Sequence, residues 1–399
     1  MIERIVIENF KSLRKVDLSL GRVNLFIGTN ASGKSNFLEA LRVLEGIGNG
    51  FTINEILNGK PKTSASGVWE GIRGGSAHAC LADSDDAGEI AIKVYGKWDD
   101  MRKLSRPEGW EYYVSFSPDD RGKVTDEYIV ENTSRYRRGD LPEDLLQNPS
   151  QPMLGMVPEI RLRRHGVRMG DLPETEFSFR LHEFAYLLRA MQRIDLVPEV
   201  LRGYSQFKRT ARMGDHGENF AALVNRICDE EHTKDAYLSW LRELRPEQID
   251  DAGTLSGAVG EPMFMLQENG RTFPAPVLSE GTLRFAALTA AFFQDRMPGI
   301  ITIEDIENGI HASRVQHLLE LMRSRAEYRQ IQVLATTHSA TILDWLREED
   351  YKTTFLCRRD EATGESRICS LADVPHFMDA VRKTPASELF AEGWMEMAP

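Results

Sequence analysis

One short stretch constrains this chain more than any other: Gly28-Thr29-Asn30-Ala31-Ser32-Gly33-Lys34-Ser35. It fits G-x-x-x-x-G-K-[ST] and sits where that pattern has physical meaning, between a strand and a helix. Arg22 to Ile27 reads as the strand. Asn36 to Leu44 places Phe37, Leu38, Leu41 and Leu44 at helical spacing. The glycines let the backbone bend so that its N–H groups surround a phosphate, and the helix start adds a favourable dipole. Lys34 would neutralise the β- and γ-phosphates, and the Ser35 hydroxyl would be a Mg²⁺ ligand. An ordinary Gly-rich turn shares the glycines but not the strand–turn–helix setting. The motif alone says that a nucleoside triphosphate binds, because kinases, GTPases and ATPases share it.

The chain after Pro274 offers the complement. An apolar helix, Thr282 to Phe293, is followed by a buried strand, Ile300 to Ile303, and a helix, Ser313 to Tyr328. A second buried strand, Ile331 to Ala335, and a further helix from Thr341 come next. Continuous apolar strands alternating with helices predict a parallel α/β sheet. The strand Ile300 to Ile303 ends in Glu304 and Asp305, at the carboxyl edge where such sheets bind ligands. One carboxylate there can hold Mg²⁺ through water and the other can orient an attacking water. Adjacent carboxylates at a strand end are otherwise just a solvated terminus. His338, after the strand Ile331 to Ala335, can hydrogen-bond a γ-phosphate or the attacking water; taken alone it reads as a packed strand-end histidine. Leu278-Ser279-Glu280-Gly281-Thr282 opens the apolar helix. Ser279 is a good N-cap, and a Ser and a Gly at a helix start also make a second anion site.

Between these ends the texture differs. From about Gly59 to Gly170, stretches such as Glu89 to Gly96 and Glu111 to Ser117 alternate as antiparallel strands do, with turns such as Ser117-Pro118-Asp119-Asp120 between them. From Leu181 to Leu244 the period is helical, with Leu181, Phe184, Ala185, Leu188 and Met191 on one face. The expected organisation is a head from residues 1–58 and 271–399, a β-rich insertion over 59–180 and a helical lobe over 181–270.

Composition limits the alternatives. Hydrophobic residues make up 41% and charged residues 28% of the 399, the profile of a globular protein. No apolar run approaches the ~18 residues of a membrane span, and the charged N-terminal stretch lacks an export signal's apolar core, so a cytoplasmic location is expected. The four cysteines form no C-x-x-C pair. Cys228 and His232 are two ligands where a structural metal site needs four; they read as a core thiol and a surface imidazole. The net charge of −12 restricts any DNA contact to a local basic patch.

Together the four motifs, in this order, resemble the ATP-binding-cassette (ABC) ATPases of the SMC and RecF group. Ile7 to Leu13 looks like that group's opening strand motif, Gly28 to Ser35 its Walker A, and Leu278 to Thr282 its signature. Ile301 to Asp305 looks like Walker B, Glu307 to His311 the dimer-contacting D-loop, and His338 the switch histidine. The chain also resembles short RecF-like, AAA-type ATPases related to the ATPase half of OLD-family nucleases. Asp195 to Arg202, Gly214 to Asn225, Arg358 to Asp360 and Glu388 to Trp394 carry that likeness.

The resemblance implies an α/β fold: a P-loop NTPase head of ABC type, its mixed, mainly parallel sheet flanked by helices, with an inserted β-rich and helical lobe. It implies ATP and Mg²⁺ as cofactors. ATP would contact Gly28, Asn30, Ala31, Ser32, Gly33, Lys34, Ser35 and Asn36, with Lys11 approaching the phosphates; a surface lysine is the other reading of Lys11. Ser35 and, through water, Glu304 would hold Mg²⁺. Glu304, Asp305 and His338 would be catalytic. An ATP-dependent homodimer would bring Ser279, Glu280 and Gly281 of one copy to the nucleotide of the other. The order Glu304-Asp305 departs from the family's Asp-Glu, which puts the rate in question more than binding. Gln151 and Gln192 are only nominal candidates for the family's Q-loop glutamine.

No heptads fill Asn36 to Val277, so a short lobe replaces SMC arms. The stretch after His338 is too short for the metal-nuclease domain of OLD proteins. Two arginine clusters, Arg135/Arg137/Arg138 and Arg161/Arg163/Arg164/Arg168 with His165, lie in the insertion. They are either non-specific DNA contacts or solvated and carboxylate-paired side chains. Three roles follow: an ATPase acting on DNA in repair or anti-phage defence, an ATP-dependent scaffold that holds or releases a partner effector such as a separate nuclease, and a transporter's nucleotide-binding subunit. The signature type and the large insertion speak against the third.

Overall fold

The computed structural model describes residues 1–60, 69–81, 88–97, 109–119, 121–131, 134–141, 146–156, 174–206, 212–244 and 248–397. Along the chain the strands are β1 (Ile2–Phe10), β2 (Leu13–Ser19), β3 (Val23–Ile27), β4 (Ile90–Gly96), β5 (Trp110–Ser117), β6 (Lys123–Glu131), β7 (Ser134–Arg137) and β8 (Met191–Ile194). They continue with β9 (Ile249–Ser256), β10 (Pro262–Glu268), β11 (Arg271–Pro274), β12 (Ile300–Ile303), β13 (Gln332–Thr337), β14 (Thr354–Arg359) and β15 (Ser366–Ser370). The chain forms two compact units, each assembled from separate segments: 1–21, 28–191 and 355–373 in the first, 22–27, 192–354 and 374–399 in the second.

The first unit is built on an antiparallel sheet of order β2-β1-β4-β5-β6-β7. Alternation puts one apolar row across it, Val16–Ile7–Ile92–Val114, and all four side chains are buried. The row runs on to Glu127, paired with Val114 and fully buried. That carboxylate is accommodated by hydrogen bonds from the Tyr112 hydroxyl (2.8 Å), the Leu154 N–H (3.3 Å) and the Met153 N–H. Burial still holds its carboxyl above the usual carboxylate range. The helix Lys34–Gly48 buries Phe37, Leu41, Leu44 and Ile47. Its end lies so close to Leu188 and Arg189 of the helix Glu174–Arg189 that a Cβ on Gly48 would overlap them. The hairpin β14–β15 belongs mainly to this unit.

The second unit carries the parallel strands. β3 pairs with β13 and β13 with β12, all in parallel, and every residue of β12 and β13 is buried. The helix Ala312–Arg329 makes the crossover between β12 and β13, as parallel pairing requires. Residues 192–194 of β8 flank β12. The helix Glu280–Ala291 is buried over nearly its whole length, and β9, β10 and β11 form a separate antiparallel sheet. Two expectations shift. Met191 is buried as its helical spacing predicts, but it begins β8. The helix expected from Thr341 is a 3₁₀ segment, Ala340–Trp345. Ile342 and Leu343 are the buried residues of that turn, too few to support a longer amphipathic helix.

Candidate nucleotide site

The parallel register fixes where functional side chains emerge. Ile303 lies beside Ala335, and Thr337 beside Ile27. Three strands therefore end at one edge of the sheet, and the chain leaves them at Gly28, Glu304 and His338.

In the first unit, Gly28 to Ser35 forms the turn. Gly33 has φ 103° and Ala31 φ 62°, left-handed conformations that curl the backbone. A Cβ on Gly28 would overlap the Cys357 carbonyl, and one on Gly33 would overlap Ser366; only glycine fits either place. Lys34 is buried. Its Nζ donates to the carbonyls of Gly28 (2.7 Å) and Thr29 (2.8 Å) and to Ser32 Oγ (3.4 Å). The ammonium is thus held inside the loop, while Thr29, Asn30 and Ala31 are exposed. Gly33 caps the helix Lys34–Gly48 without a side-chain bond, and the first turn carries no acidic residue, which leaves the dipole's positive end unopposed. Behind the turn, Asn36 donates to Ser12 Oγ (2.7 Å), and Ser12 and Ser366 hydroxyls meet at 2.6 Å.

Lys11 is neither an open surface lysine nor directed at the loop. Its Nζ pairs with Glu39 and donates to the Arg73 carbonyl (2.9 Å). Arg73 binds the same Glu39 at 3.0 Å.

In the second unit, Asp305 follows Glu304 with φ 47°, a conformation that Asp tolerates better than most residues. The Asp305 N–H donates to Thr336 Oγ1 (2.9 Å), and that hydroxyl donates to Asp305 Oδ1 (3.2 Å). His338 Nε2 stands 3.3 Å from the same Oδ1. The His338 N–H donates to Glu307 Oε1 (2.6 Å). Arg284, on the helix Glu280–Ala291, donates to the carbonyls of Glu304 and Asp305 (both 3.1 Å) and Leu196 (3.2 Å), and its burial pulls its pKa down. Arg284 carries no spacing signal in the sequence, because its guanidinium binds main-chain carbonyls, which any residue supplies. Glu304 Oε1 lies 3.3 Å from Arg193.

Ser279 caps its helix, accepting from the Thr282 N–H (3.3 Å) and meeting the Thr282 hydroxyl at 2.8 Å. A cavity of about 590 Å³ opens beside it, lined by Ser279, Glu280, Gly281, Gly309, His311 and Arg314 among others. The start of the helix Glu280–Ala291 and the segment from Gly309 to Arg314 therefore share one cleft.

The donors assigned to Mg²⁺ are a hydroxyl, Ser35, and a carboxylate, Glu304. Both are hard oxygens of the kind Mg²⁺ takes. Among the described residues no group of three or more His, Cys, Asp or Glu could hold a metal by itself.

Of the two nominal glutamines, Gln192 is buried and donates to the Met213 carbonyl (2.8 Å), and Gln151 donates to the Gly50 carbonyl (3.2 Å). The first arginine cluster is largely occupied. Arg135 stacks on Tyr128 (3.9 Å), Arg137 pairs with Asp126 (2.9 Å), and buried Arg138 donates to the carbonyls of Gln151 and Asn148. The second, Arg161, Arg163, Arg164, His165 and Arg168, lies outside the described residues. Cys228 donates to the Ala252 carbonyl (3.4 Å), and burial pushes its thiol up to about 11. No described helix is long and apolar enough to cross a membrane.

Residues 177–344 match the family model of an AAA domain of the AbiEii toxin, Type IV TA system, kind, and residues 1–66 match that of an AAA ATPase domain. No curated protein matches the chain. Among solved structures, an SMC head bound to the C-winged helix domain of ScpA is 13% identical with a TM-score of 0.54, covering 93% of this chain and 98% of its own. The Smc head of Pyrococcus yayanosii, with a coiled coil and joint, is 12% identical with a TM-score of 0.50, covering 96% and 99%. At such identities the likeness concerns the fold. The two AAA models take in the phosphate loop at one end and the Ser279 helix start, strand-end carboxylates and His338 at the other, so over those residues the chain is similar to AAA-type ATPases, and its fold is similar to that of SMC heads.

Proposed function

We propose that this protein binds ATP with Mg²⁺, closes as a homodimer on two nucleotides, and hydrolyses ATP slowly. The Asp305–His338 pair carries the reading. A carboxylate and an imidazole at 3.3 Å, with Thr336 fixing the carboxylate, suit the orientation of an attacking water. Lys34 and Ser35 would serve phosphates and metal, Glu304 the metal through water, and Ser279, Glu280 and Gly281 the nucleotide of the second copy. Asn30, Ala31, Ser32 and Asn36 would line the phosphates. Lys11 would reach them only after leaving Glu39. Mg²⁺ would supply charge neutralisation at the phosphates. The cleft shared by signature and D-loop supports a surface made to receive another copy. The slow rate rests on Asp305 being one methylene shorter than the family's glutamate.

The setting we propose is DNA repair or anti-phage defence in the cytoplasm, and the family model named for the AbiEii toxin favours defence. A scaffold that holds or releases a partner effector without touching DNA is the second reading. It is favoured by the occupied Arg135/Arg137/Arg138 cluster and the net charge of −12, and a solved SMC head bound to ScpA offers an analogy for a partner protein. ATPase rates with and without DNA over a salt series decide. DNA stimulation that falls steeply with salt supports DNA action; a rate indifferent to DNA, with a protein partner co-purifying, supports the scaffold.

A further inference from the structure

Arg193 stands just before the segment that runs to Pro198, and nothing in its sequence setting marks it. Its guanidinium nevertheless divides between two carboxylates. Nη2 lies 2.6 Å from Asp195 Oδ2 and 3.3 Å from Glu304 Oε1. The side chains of Arg193 and Glu304 are only 20% and 14% exposed, so water screens this pair poorly. Neither the phosphate loop nor the signature accounts for a cation here.

We infer that Arg193 is a stand-in cation for Glu304, a positioning residue that competes with Mg²⁺ and so sets the Mg²⁺ concentration at which ATP is locked in. The inference rests on the proposed reading of Glu304 as the metal-linked carboxylate. With no metal present, Arg193 neutralises a poorly hydrated carboxylate that would otherwise repel the phosphates. When Mg²⁺ arrives, two cations contend for one group, and their repulsion weakens the metal's hold. Asp195 makes the exchange feasible. It is the closer partner, so Arg193 can give up Glu304 without becoming an uncompensated buried charge. Removing Arg193 should therefore lower the Mg²⁺ requirement, and removing the Asp195 charge should raise it by leaving Arg193 to Glu304 alone.

The test measures binding of a fluorescent N-methylanthraniloyl ATP over a Mg²⁺ series, using the full chain. Arg193→Gln should lower the half-saturating Mg²⁺ about tenfold. Asp195→Asn, a more exposed change, should raise it, and supplies the test should Arg193→Gln fail to fold. Glu304→Gln should raise the requirement, and Arg193→Gln should add little in that background. An unchanged or raised requirement in Arg193→Gln, with Glu304→Gln still raising it, overturns the inference and leaves the role of Glu304 standing. A Mg²⁺ requirement indifferent to Glu304→Gln overturns both.

Discussion

Gly281 and Gly309 touch so closely that a Cβ on Gly281 would lie less than 3.0 Å from the Gly309 carbonyl oxygen. The start of the helix Glu280–Ala291 therefore packs directly on the loop that follows Glu307. Gly309 itself has φ 70°. Gly281→Ala should force the two apart and cost about 1–3 kcal/mol, read by chemical denaturation. It should also abolish ATP-dependent self-association, because the distorted cleft is the proposed receiving surface. A variant of wild-type stability that still associates would show that this close approach serves neither purpose.

Asp305 holds a left-handed turn while its carboxylate faces His338. Asn shares that tolerance for positive φ, so Asp305→Asn should fold and bind ATP. With the basic oxygen lost, phosphate release should fall by about a hundredfold or more. Turnover near the wild-type rate would move the catalytic role elsewhere.

Lys34→Ala should eliminate ATP binding, since it removes the ammonium that the loop carbonyls hold and that is proposed to meet the phosphates. Ser279→Arg should spare ATP binding but fill the signature cleft. Mixed Lys34→Ala and Ser279→Arg copies place both lesions in one site of a dimer and leave the other intact, so partial ATPase activity should return. Well-mixed copies that stay inactive would argue against sites shared between subunits.

Glu127 predicts a pH dependence unrelated to the site. Burial, the largest influence, raises its pKa, against the hydrogen bonds from Met153 and Tyr112 and the charge of Arg138. The folded state thus holds the proton more tightly than the unfolded chain. The stability this contributes is complete below the unfolded value, about 4.3, and is lost as pH rises through the folded value. Relative to Glu127→Gln, the wild type should lose stability as pH climbs from about 4, and then level off. Denaturation midpoints whose difference is flat across that range would contradict the burial argument.

Local chemistry was legible in the sequence. β12 spans Ile300–Ile303 as its apolar run predicts, and β3 and the helix after Lys34 lie within a residue or a turn of expectation. The SMC-like fold was likewise readable, because its motifs are short and keep their order. Pairing between distant segments was not. β1 lies between β2 and β4, and alternation within a strand says nothing about its neighbour. β9 lies in the stretch expected to be a helical lobe, and Asp250, Asp251 and Thr254 break the apolar alternation that would mark it as a strand. Lys11 and Arg138 carry charge that the fold spends internally, on Glu39 and on main-chain carbonyls. Spacing alone cannot distinguish such side chains from ligand-facing ones.

The central claim is that ATP joins two copies of this chain. Light scattering of purified Asp305→Ala, which should bind ATP and hydrolyse it too slowly to reopen, tests it most directly. The account predicts the mass of one chain without nucleotide and twice that mass with Mg²⁺ and ATP. A mass of one chain with ATP demonstrably bound would contradict it.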